Sequence, residues 1–156
     1  MAINQPELIR ILNSIFKEDK WVITGGLAIY LLAKATHVEL PTEIIPHNID
    51  IFYHYNTPLT INSFSNYIRG QNTPCSSMSF HNSENRTINL TLKRSRTRYI
   101  KLGSFNIMNP ETLLKMYELD DDDMDFDKMT LNVIKYTKLK EIISKLPNYP
   151  IYTMEI

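Results

Sequence analysis

A short apolar strand that stops at a glycine pair and runs straight into an apolar helix constrains this chain more than any other feature. Trp21-Val22-Ile23-Thr24 is β-branched and apolar, the pattern of a strand covered on both faces. Gly25-Gly26 breaks it, and Leu27 to Ala35 follows as a helix whose Ala28, Ala33 and Ala35 permit close packing. About twenty residues on, Asn48-Ile49-Asp50-Ile51 opens a second strand, expected to run to Tyr55. Alternation puts Asn48 and Asp50 on one face and Ile49 and Ile51 on the other. Two polar side chains at the head of an otherwise apolar strand are costly unless something uses them.

The flanking sequence supplies the rest of a domain. Leu8, Ile9, Leu12, Ile15 and Phe16 predict a helix over about residues 6–17. Residues 36–48 hold Pro41 and Pro46 and read as a loop. Leu59, Ile61, Phe64, Tyr67 and Ile68 predict a helix from Pro58, ended by Gly70. Strands are expected at about 76–81, 87–93 and 98–108, the last split at Gly103. Asn109-Pro110-Glu111 starts a helix over Thr112–Leu119. Apolar residues from Phe126 to Ile143 recur at helical spacing over about 126–145. Residues 1–156 are therefore expected to form one α/β domain, an α+β mixed sheet with helices near both ends.

Charge and cysteine content narrow the setting. Lysine plus arginine equal aspartate plus glutamate at 17 each, so no global field draws the chain onto nucleic acid or a membrane. Cys75 is the only cysteine, which excludes an internal disulfide and fits a reducing, cytoplasmic compartment. The first residues lack the basic flank and apolar run of a signal peptide, and no apolar run approaches membrane length. The one basic cluster, Lys93-Arg94-Ser95-Arg96-Thr97-Arg98, is either a solvated strand edge or a phosphate contact for nucleotide or RNA. Asp120 to Asp123 lacks the glycine and glutamate of a calcium loop and reads as a solvated turn. His47 beside Asn48 reads as a loop residue or as a substrate contact, and Cys75 has no nearby catalytic partner in sequence.

The segment from Trp21 to Tyr53 suits phosphoryl chemistry. A Gly-Gly turn lets backbone N–H groups approach a triphosphate with no Cβ in the way. A helix N-terminus beside it favours negative charge. Carboxylates two apart on a strand can hold Mg²⁺, which bridges phosphates.

Strand, Gly-Gly, helix, then an acidic strand head resembles the core of the polymerase-β-like nucleotidyltransferases, close to the minimal nucleotidyltransferases and abortive-infection toxins. Tyr99 to Met108 followed by Asn109-Pro110-Glu111-Thr112-Leu113-Leu114 is similar to the strand and Pro-Glu helix start that follow that core, and the last helix with Lys128 resembles the closing helix. The resemblance implies that Gly25 and Gly26 cradle a nucleoside triphosphate. It implies that Asp50 and Asn48 sit at the metal position, and that Arg94, Arg96 or Arg98 contact phosphates. It also implies Mg²⁺ or Mn²⁺ where the chain is active, and an RNA, protein or small-molecule acceptor.

This chain departs from the pattern at its carboxylates. Asn48 stands where the first is expected, and Asn89 or Thr91 where the third is expected. The lysine expected in the Pro-Glu helix falls near Tyr117, with Lys115 close by. One carboxylate among neutral amides is a poor site for a hard cation. The expectation is thus a nucleotidyltransferase-like protein with catalysis impaired or lost, kept for binding a nucleotide or a partner. The alternatives are an active enzyme, with Glu43 or Glu84 supplying a missing carboxylate, and an unrelated α+β interaction domain.

Overall fold

The computed structural model describes residues 5–16, 20–46, 48–53, 67–69, 75–81, 87–94, 96–118 and 125–153. In chain order these form α1 (Gln5–Ile15), β1 (Trp21–Thr24), α2 (Gly25–Thr36), a 3-10 turn (Thr42–Ile44), β2 (Asn48–Tyr53) and β3 (Tyr67–Arg69). There follow β4 (Cys75–His81), β5 (Thr87–Arg94), β6 (Arg98–Leu102), β7 (Phe105–Met108), α3 (Pro110–Met116), α4 (Phe126–Lys145) and β8 (Tyr152–Thr153). Among the described residues the strands form one mixed sheet in the order β3-β4-β5-β2-β1-β7-β6-β8. The protein is an α+β fold.

Two parallel contacts set this topology. β1 runs antiparallel to β2 but parallel to β7, and β2 runs parallel to β5. β1 and β7 are buried along their whole length, whereas β2 alternates between buried and partly exposed residues. Their register aligns Leu92, Ile51, Ile23, Ile107 and Ile100 in one row across five strands. None of the five is more than 2% exposed. This face packs into one core with Leu8 and Leu12 of α1 and Leu27 and Leu32 of α2. Phe16 meets Tyr53 there, ring centroids 5.9 Å apart. α4 lies against α2 and α3 and buries Leu139 and Ile142.

The sequence expectations meet this fold unevenly. The long strand is split at Gly103, whose φ of +60° makes the turn between β6 and β7. α4 has the expected bounds, and α2 begins at the glycine pair itself. The expected helix over 58–70 is corrected at its C-terminal end: Tyr67–Arg69 is a strand paired with β4. Its apolar spacing suits a helix locally, but cross-strand pairing with Ser76–Met78 prevails over local periodicity. The rest of that segment, and the acidic turn at 120–123, lie outside the described residues. The segment 36–48 holds a 3-10 turn, and β8 is a short strand after α4.

Candidate functional site

The residues on the other face of the central strands differ sharply from the apolar row. One residue along from Leu92, Ile51 and Ile23, the register aligns Thr91, Asp50 and Thr24. Directly paired residues share a face, so these three polar groups sit together on the side away from the α1–α2 core. With Gly25, Ile51, Phe52, Lys93 and Met116 they line a cavity of about 230 Å³.

Gly25 is what lets the site close. It has a φ of +67°, in the left-handed region that side chains avoid. A Cβ built on it would lie 2.6 Å from Asp50 Oδ2. The Asp50 carboxylate therefore sits against the first residue of α2, where a helix leaves its first N–H groups without intrahelical partners. Thr24 precedes the helix as N-cap but makes no side-chain cap. Its hydroxyl points instead to the sulfurs of Met108 at 3.4 Å and Met116 at 3.7 Å. α2 has no acidic residue in its own first turn, and Asp50 brings negative charge to the site from β2.

Asp50 is half-buried, and burial pushes its carboxyl above the usual carboxylate range, with the charge of Lys135 pulling it back. Burial holds Lys135, on α4, below the ordinary lysine value against the pull of Asp50. Among the described residues no direct ion pair or hydrogen bond closes between Asp50 and Lys135. The Lys135 ammonium sits 5.2 Å from the Tyr117 ring centroid. The Tyr117 hydroxyl is pushed up to about 12, first by burial and then by the negative charge of Asp50. Asp50, Lys135 and Tyr117 thus form one coupled group drawn from β2, α4 and the end of α3.

A carboxyl whose folded value exceeds its unfolded value holds its proton more tightly in the folded chain. Stability then rises as pH falls from the folded toward the unfolded value, and the ionised form costs stability above that window. Asp50→Asn is expected to melt higher than the parent at neutral pH, with the gap closing on acidification. Thermal melts of both proteins across that range check this, and a parent more stable than the variant at neutral pH would contradict it.

Of the expected site residues, the fold brings Gly25 and Asp50 together, whereas Gly26 faces Pro46 and does not line the cavity. Asn48 begins β2 two residues before Asp50 and is exposed. Asn89 and Thr91, the positions expected for a third carboxylate, pair in register with Asn48 and Asp50. The arginines fall elsewhere. Arg94 pairs with Tyr53 at the far end of β2, and Arg96 lies in the exposed connection beyond it. Arg98 begins β6, which is separated from β2 by β7 and β1. Neither Arg96 nor Arg98 lines the cavity, whereas Lys93 does, its ammonium 5.8 Å from the Phe52 ring centroid. Lys128 is exposed in the first turn of α4, and Lys135, two turns on, is the lysine that Asp50 feels. Sequence reading missed Lys135 and Met116 because nothing local distinguishes them from ordinary helix residues.

Glu43 is exposed on the 3-10 turn and does not line the cavity, and Glu84 and His47 lie outside the described residues. Among the described residues Asp50 is the only carboxylate lining this cavity, and no three His, Cys, Asp or Glu side chains are grouped to hold a metal. One carboxylate with two hydroxyls, under the field of a lysine, is a donor set that does not fit a hard divalent cation. A larger cavity of about 530 Å³ opens at the opposite end of the sheet, against Gln5, Ile9, Lys34, Leu102 and Phe105. Among the described residues no carboxylate lines it. No helix of the described residues is long and apolar enough to cross a membrane. No protein-family model, curated protein or solved structure matches the chain.

Proposed function

We propose that the Asp50 cavity is a nucleotide-binding cleft on a nucleotidyltransferase-like core, kept for binding rather than for nucleotidyl transfer. The observation that carries this reading is the seat of the Asp50 carboxylate directly against Gly25, at the uncapped start of α2. A positive-φ glycine under a strand-borne carboxylate is a demanding arrangement with no evident value to the core. The cavity also joins an aromatic wall, Phe52, to an ammonium, Lys93. That pairing suits a planar base with an anionic tail.

Binding is favoured over transfer by the residues beside Asp50. Metal-assisted transfer needs several carboxylates to hold the cations that bridge the phosphates. Asn48, Asn89 and Thr91 occupy the neighbouring register positions, and none is acidic.

Calorimetric titration of the protein with each of the four nucleoside triphosphates tests the reading. Saturable binding at one site per chain is expected. Phe52→Ala is expected to weaken it about tenfold through lost base stacking, itself worth roughly 1–3 kcal/mol. Absence of binding for all four, with or without Mg²⁺, overturns the reading, as does binding that Phe52→Ala leaves untouched.

A further inference from the structure

We infer that the Asp50 cleft takes its nucleoside triphosphate without a divalent cation, the ammonium groups of Lys135 and Lys93 supplying the positive charge that a metal would carry. This rests on the nucleotide reading above and goes beyond it in naming the counter-charge.

A triphosphate tail is strongly anionic, and an ionised Asp50 beside it repels it. The cleft must offset that repulsion with cations or with a proton. A bound metal is disfavoured by the donor set: among the described residues Asp50 is the only carboxylate lining the cavity, and the other oxygen-bearing side chains there are the hydroxyls of Thr24 and Thr91.

One lysine of this chain, Lys93, lines the cavity, and a second, Lys135, lies outside the lining but within the field of Asp50. Lys135 is held on α4, its ammonium 5.2 Å from the Tyr117 ring centroid, close enough for its charge and that of Asp50 to act on one another. No direct ion pair closes between them, so neither charge is already neutralised by contact with the other. A group placed between them could be held by the Lys135 ammonium. Lys93 lines the same cavity from β5. A lysine ammonium is a compact point charge well suited to phosphate oxygens. The uncapped start of α2 adds a partial positive charge of roughly half a unit. Burial also raises the affinity of Asp50 for a proton, which lowers the cost of bringing an anion beside it.

This arrangement reverses the role of Asp50. In a metal-dependent cleft the carboxylate is indispensable, because it holds the cation. In this cleft it is the one group that opposes the ligand, and removing its charge helps.

The test titrates the full chain with ATP, GTP, CTP and UTP, in EDTA and again in excess Mg²⁺, for the parent and three variants whose folding is checked by circular dichroism. Binding in EDTA is expected to be at least as tight as in Mg²⁺, since Mg²⁺ competes for the phosphates. Lys135→Met and Lys93→Met are each expected to weaken it about tenfold, which is about 1.4 kcal/mol. Asp50→Asn is expected to tighten it about threefold by removing a like charge. Lys93 is exposed, so Lys93→Met and Asp50→Asn carry the test if Lys135→Met fails to fold. Binding that needs Mg²⁺ and disappears in Asp50→Asn overturns this inference while leaving the nucleotide cleft standing. Absence of binding in both buffers overturns both.

Discussion

Gly25→Val is expected to destabilise the protein by roughly 3 kcal/mol or more, and to lower the melting temperature by roughly 6–12 °C in a domain of this size. Two separate costs combine. At φ +67° a side chain meets its own backbone, a penalty of about 1–2 kcal/mol for an ordinary residue and more for a β-branched one. The new Cβ would also fall 2.6 Å from Asp50 Oδ2, so the carboxylate or the strand must move. The costs separate experimentally. Gly25→Ala in an Asp50→Ala background keeps the backbone penalty and loses the clash. Its destabilisation is expected to be smaller than that of Gly25→Ala in the parent, and a coupling energy of about 1 kcal/mol in the double-mutant cycle is the expected result. Additive effects would mean that Asp50 does not sit on Gly25.

Ile23→Ala is expected to cost roughly 2–5 kcal/mol, the range for removing a large aliphatic side chain from a core. A value at the upper end is expected because of where Ile23 lies. It is central in the row Leu92–Ile51–Ile23–Ile107–Ile100, with a neighbour on each side and two helices packed on that face. Strands fixed by hydrogen bonds cannot close in on the vacated volume as a loop would. Ile23→Val, which removes one methylene, is expected to cost roughly 0.5–1.5 kcal/mol. Denaturant melts of the two variants give both numbers, and equal small losses would mean that Ile23 is not at the centre of the core.

The parts of this fold legible in the sequence are those set by near neighbours. β1, the glycine break, α2 and α4 follow from local apolar patterning, and the split at Gly103 follows from the only glycine in its segment. What depends on pairing across the chain was not legible. Tyr67 and Ile68 fit a helical stripe as well as a strand, and only contact with β4 decides between them. The arginine cluster follows β5 directly, but whether it lies near Asp50 depends on the direction of β5 beside β2. β5 runs parallel to β2, which carries Arg94 and Arg96 away from the head of the strand.

The site was half legible for the same reason. Gly25 and Asp50 stand out because glycine pairs and strand-borne acids are locally unusual. Lys135 does not, since a lysine on an amphipathic helix normally faces water. Its role arises only when α4 packs against α2 and α3 and brings it within the field of Asp50. Thr91 looks like an ordinary strand residue until the parallel register sets it beside Asp50.

The most direct test of the central claim is a map of backbone amide chemical shifts on adding a nucleoside triphosphate to the isotopically labelled protein. The largest changes are predicted at Gly25, Gly26, Asp50, Thr91 and Lys93, with Lys135 following from α4. Unchanged shifts there, or changes gathered around Gln5, Lys34 and Gly103 at the opposite end of the sheet, would contradict it.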